Sequence, residues 1–187
     1  MINKRISIWI LLLTLTWPVF GAVRINEIMF DTGTGSNPDA EFIELYNDGS
    51  GSVDLEGWSL QVGSTPLVTF ADSLVLAAGQ YLAIYIGNPA APPASSYSLG
   101  LTTEALGDTG DEILLLDGDG NPHDYIAYGT VTVNPPSPLT FPSAISLAAP
   151  WQSGDGLAFI QPDGTNSDVP GQWINRRGDN VTPGAAN

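Results

Sequence analysis

The chain has 187 residues, no cysteine, and five Lys/Arg against twenty Asp/Glu, a formal net charge of −15. The absence of cysteine excludes disulfides, thiol catalysis and zinc-thiolate sites. So acidic a surface disfavours nucleic acid and anionic membranes, both of which require clustered Lys/Arg, and suits solubility outside the cell or capture of divalent cations.

Lys4 and Arg5 precede the apolar run Ile6–Leu15, then Pro18 and the small residues Gly21 and Ala22. This pattern predicts a secretory signal peptide over residues 1–21, because the run is shorter than the ~20 residues of a membrane span. No cysteine stands at the cleavage point to carry a lipid. Residues 22–187 remain as one expected domain, long enough to bury a core without disulfides. It carries three arginines against all twenty acids, a net −17.

Val23–Phe30 and Glu41–Tyr46 are apolar-rich runs separated by Gly, Asn, Pro and Asp. A second turn cluster leads into Gly57-Trp58-Ser59-Leu60, so three strands are predicted in under forty residues. Leu67–Phe70 and Leu74–Leu76 alternate apolar and polar residues, and Ala77-Ala78-Gly79-Gln80 turns into Tyr81–Ile86, a nearly continuous apolar run expected at the centre of a sheet. The Pro/Ala/Ser-rich Gly87–Ser98 is expected as a surface loop without a ladder. Gly107–Asp117, a turn followed by a strand, and the return strand Asp124–Gly129, joined by Gly118–Pro122, predict a β-hairpin. The five prolines of Thr130–Pro150 predict an irregular excursion beyond the compact body. Gly154–Ile160 is expected as a further strand and Trp173 as a residue docked on the core.

Ile25-Asn26-Glu27-Ile28, Glu41-Phe42-Ile43-Glu44-Leu45-Tyr46-Asn47 and Val53-Asp54-Leu55 followed by Gly57-Trp58-Ser59-Leu60 strongly resemble the opening of the lamin tail domain family. The Gly107–Gly129 hairpin resembles that family's second recognisable block, and the closing Thr182-Pro183-Gly184 its ending. One departure is that Gly156-Leu157-Ala158-Phe159 lacks the arginine of the family's Ser-Leu-x-Arg pattern. The resemblance implies an all-β, immunoglobulin-like β-sandwich that acts as an interaction module rather than an enzyme. It also implies that Asn26, Glu27, Glu44, Asn47, Gly57, Trp58, Asp111, Pro183 and Gly184 have structural roles. Phe42 and Trp58 are expected in the inner layers of the sandwich.

Glu27 and Glu44 are the acids most worth weighing for chemistry. Phe42, Glu44 and Tyr46 share one strand face, and a carboxylate among aromatics can be a general acid with a raised pKa. It can also be an acceptor for main-chain N–H groups, which is the reading favoured here. Asp117-Gly118-Asp119-Gly120-Asn121 spaces its oxygens like the start of a calcium loop. However, Pro122 replaces the sixth-position glycine and Tyr128 the twelfth-position glutamate. Asp31, Asn37 and Asp39, and Asp108 with Asp111, form two further weak Ca²⁺ candidates. His123, at the hairpin tip, is expected to be exposed, and no Ser-His-Asp device or phosphate-cradling loop is present. Trp151, with Tyr97 or Tyr128, is a candidate exposed aromatic for stacking on a sugar or peptide.

Together these features lead us to expect a secreted or periplasmic, non-catalytic binding or structural module with no cofactor beyond weak Ca²⁺. Its partner would be a protein or an extracellular polysaccharide. The alternatives are a calcium-stabilised adhesion domain and a carboxylate-based hydrolase using Glu27, Glu44 or loop aspartates.

Overall fold

The computed structural model describes residues 23–31, 37–146, 157–160, 170–177 and 181–186. The expected signal peptide, Trp151 and the first residues of the strand expected from Gly154 lie outside the described residues.

Alternating and continuous Val/Ile/Leu/Tyr runs form strands, and Gly, Asn, Asp and Pro punctuate them. The strands are β1 (Val23–Asp31), β2 (Phe42–Asn47), β3 (Val53–Asp54), β4 (Ser59–Val62), β5 (Thr65–Thr69) and β6 (Val75–Leu76). They continue with β7 (Tyr81–Tyr85), β8 (Ser96–Ser98), β9 (Gly110–Leu116), β10 (Pro122–Gly129), β11 (Leu157–Ile160) and β12 (Ile174–Arg177). One sheet has the order β12-β11-β1-β2-β7-β8, a second β10-β9-β4-β5, and β3 and β6 form a short third pair.

The two larger sheets enclose one main core. Ile25, Phe30, Ile43 and Ile84 from the six-stranded sheet join Leu60, Ile113 and Ile126 from the four-stranded sheet, all fully buried. Burying each such side chain stabilises the fold by about 1.5–3 kcal/mol. Trp58 and Trp173 are buried in the same cluster.

A bulge at Asn26 decides which way β1 presents its acid. The register runs Ile25↔Leu45 and then Glu27↔Glu44, leaving Asn26 as the extra residue. One inserted residue exchanges the faces of a strand. Val23 and Ile25 before the bulge, and Ile28 and Phe30 after it, therefore all reach the main core, whereas Glu27 and Met29 face away. The Ile25 N–H at the bulge donates to Asp124 Oδ2 at 2.8 Å, which ties β1 to β10 of the opposite sheet.

Three expectations change. Phe42 is buried, but on the outer face of the six-stranded sheet, where Met29, Phe42, Ala83 and Tyr85 form a second cluster with Val181 against it. Its parity in β2, opposite to that of Ile43 and Leu45, places it there. Gly87–Ser98 does contribute to a ladder, because Ser96–Ser98 pairs in parallel with Ala83–Tyr85; its prolines stop short of Ser96. The Pro-rich stretch after Thr130 does not stand clear of the body either. Phe141 and Ile145 are buried, and Ile145 pairs with Tyr128 through the bonds Ile145 N to Ala127 O and Gly129 N to Ile145 O. This stretch thereby covers the edge of β10, which would otherwise present unpaired groups.

Candidate functional site: a sealed carboxylate pair and an open acidic groove

Glu27 and Glu44 stand directly opposite each other on β1 and β2, and both are fully buried. What buries them is the chain's own C-terminal segment. Thr182 donates its N–H to Glu27 at 3.1 and 3.2 Å and its hydroxyl at 3.2 Å. Gly184 donates its N–H to Glu44 Oε2 at 2.6 Å, and Asn26 Nδ2 donates to Glu44 Oε1 at 2.9 Å. Gly184 has φ +79°, and a Cβ there would sit 3.1 Å from Pro93. Glycine is thus required both by the left-handed turn and by the close approach. Burial first, and then the negative charges of Glu27 and Glu44, push the neighbouring Tyr85 phenol above its ordinary value. The arrangement uses buried carboxylate oxygens as acceptors, chiefly for main-chain donors.

The other family-motif residues lie apart from this pair. Asn47 is buried, donates to the carbonyls of Gly51 and Leu76, and accepts from Gly49 N–H, so it closes the turn after β2. Gly57, with φ +79°, passes within Cβ-contact distance of the Gly118 backbone. Trp58 meets His123 edge-on at a centroid distance of 4.6 Å. His123 is therefore half-buried rather than exposed, and burial lowers its pKa. Tyr128 is fully buried against Phe30, which removes it as an exposed stacking residue; Tyr97 is 37% exposed.

A second acidic region opens to solvent. The segment Leu101–Leu106 faces the outer strand β5 across a groove of about 480 Å³, lined by Val62, Pro66, Leu67 and Leu101 together with Glu104 and Asp111. Glu41, just before β2, holds this wall in place. Its two oxygens accept Ala105 N–H at 2.8 Å and Leu106 N–H at 2.7 Å. Burial raises the Glu41 pKa to about 7, with the charges of Glu104 and Asp108 adding to the shift. Asp111 accepts Gly107 N–H at 3.1 Å, and burial holds it above its ordinary value. Sequence reading named Asp111 but missed Glu41 and Glu104. The available signal was an acid immediately preceding a buried strand, where a main-chain acceptor is often needed.

The loop acids show the chemistry of turns. Asp117 Oδ1 accepts the N–H groups of Asp119 and Asn121, and the Asn121 side chain also donates to it. Asp39 Oδ1 accepts Asn88 N–H at 2.7 Å. Asp31 ends β1, with its side chain outside the described residues. Among the described residues, no three His, Asp or Glu come together as a metal-holding group.

Two facing sheets, a mostly antiparallel ladder and a buried Trp define an immunoglobulin-like β-sandwich. The Lamin Tail Domain family model matches residues 18–130, more than half of the chain, and the chain belongs to that family. The membership supports a non-catalytic immunoglobulin-like module. No curated protein matches the chain. The sealing segment Val181–Gly184 and strands β11 and β12 all lie beyond the matched residues.

Proposed function

We propose that the chain is exported and works outside the cytoplasm as a non-catalytic binding or structural module, with a protein or extracellular polysaccharide as its partner. Export is supported by Lys4 and Arg5 before the apolar Ile6–Leu15, followed by Pro18 and the small residues Gly21 and Ala22. The observation that carries the module reading is the state of Glu27 and Glu44. A carboxylate-based hydrolase needs two acids facing a cleft that admits substrate and water. This pair is instead fully buried, and its oxygens accept from Thr182, Gly184 and Asn26. Acidity disfavours nucleic acid and anionic membrane as partners.

The test exposes the secreted chain to arrays of peptides and oligosaccharides while the same samples are assayed for cleavage products. Retention of a ligand without turnover is the expected result. Turnover that disappears in Glu44→Gln would replace the module with an enzyme.

A further inference from the structure

We propose that the groove between β5 and Leu101–Ala105 docks a basic polypeptide segment, seating an apolar side chain on Leu101 and Leu67 and a Lys or Arg beside Glu104 and Asp111. This rests on the binding-module reading and gives it a place and a partner chemistry.

Shape and polarity point the same way. The trough has an apolar wall and floor in Val62, Pro66, Leu67 and Leu101, and among the described residues its lining holds two carboxylates and no Lys, Arg or His. Leu101 is 42% exposed, one of few large apolar side chains so placed among the described residues. An apolar side chain left in water beside a concave surface is a contact surface in waiting. Behind the wall, Asp108 adds to the same negative field, and the charges of Glu104 and Asp108 add to the burial that raises the pKa of Glu41. A docked cation lowers the cost of every one of these charges, whereas a polyanion raises it.

The edge chemistry selects the mode of contact. β5 is the outer strand of its sheet, but Pro66 lacks an N–H and a register irregularity falls between Leu60 and Gln61 opposite it. Both features blunt an edge against strand addition. The occupant therefore docks through side chains rather than by extending the ladder. A neutral glycan fits less well, since among the described residues the lining has no aromatic ring on which a sugar could stack.

The test titrates the full chain with the synthetic peptide acetyl-Gly-Leu-Lys-Leu-Lys-Gly-amide, following binding by calorimetry and amide chemical shifts. Three controls replace Lys by Glu, replace Leu by Ser, or substitute a neutral cello-oligosaccharide. Shifts should centre on Leu101–Ala105 and β5, and binding should weaken with added salt. Glu104→Gln and Leu101→Ser should each weaken it by roughly fivefold or more while the melting temperature stays near that of the parent chain. Equal binding of the Glu or Ser peptide, an oligosaccharide that displaces the Lys peptide, or full affinity in both variants would each overturn the assignment. If the Lys peptide fails but the arrays find another ligand, this inference falls and the module reading stands; cleavage of the peptide would sink that reading itself.

Discussion

The two acidic regions differ in what surrounds their carboxylates, and that difference separates architecture from contact. Glu27 and Glu44 are fully buried, and the main-chain donors that satisfy them come from a segment about 140 to 155 positions later in the chain. Glu104 and Asp111 border an open groove with an exposed leucine beside them. A carboxylate of the first kind closes a fold by collecting N–H groups that would otherwise be lost to burial. A carboxylate of the second kind projects its charge outward. The same residue type therefore predicts a large stability effect in one place and a large binding effect in the other.

Substitution sharpens the contrast, beginning with the largest expected effect. Glu44→Met removes the acceptor for Gly184 N–H and Asn26 Nδ2 inside a buried site. It should destabilise the chain by roughly 2–4 kcal/mol, read from the denaturant midpoint. Gly184→Ala leaves both carboxylates in place but forces a Cβ into the left-handed turn beside Pro93. A loss of about 1 kcal/mol is expected from the same measurement.

Glu41 stands between the two kinds and gives a pH signature. Its folded pKa of about 7 lies above the usual 4.5, so the folded state binds more protons across that interval. Stability associated with this group is therefore present in acid and declines as pH rises through about 4.5 to 7. His123 acts in the opposite sense. Its pKa is depressed, so the unfolded chain binds more protons and stability rises with pH up to the ordinary histidine value. Comparing Glu41→Gln with the parent chain isolates the first effect. The parent's melting temperature, relative to the variant's, should fall as pH is raised from about 5 to 8; a constant difference would show that Glu41 titrates normally. The smallest stability effect belongs to Glu104→Gln, which keeps an oxygen for Asn37 N–H. It should change stability by no more than about 0.5 kcal/mol, which makes it a clean probe of binding.

Much of the sandwich was legible because strand periodicity and turn residues are local signals. The hairpin of β9 and β10 follows from patterns readable over ten residues or so, whereas the immunoglobulin-like architecture and the burial of Trp58 were implied by the resemblance to the lamin tail domain family rather than by periodicity. The facing of Phe42 was not legible, because apolar character says that a residue is buried without saying against which layer. Among the described residues, Val181–Gly184 returns to cover that layer on the outer face of the sheet. The expected exposure of His123 and the availability of Tyr128 as a stacking neighbour fail for a related reason, since Trp58 and Phe30 reach them from distant parts of the chain. The groove was invisible for the same cause: Glu41 and Glu104 are sixty-three positions apart in sequence and meet through the Ala105 and Leu106 N–H groups.

Amide hydrogen exchange at Thr182 and Gly184, followed by NMR on the intact chain, tests the central distinction most directly. If these two N–H groups are bound to buried Glu27 and Glu44, they should exchange as slowly as amides in β2, close to the rate set by global unfolding. Exchange at the rate of an open peptide would mean that the segment does not seal the carboxylates, and would return Glu27 and Glu44 to the list of acids able to meet a substrate.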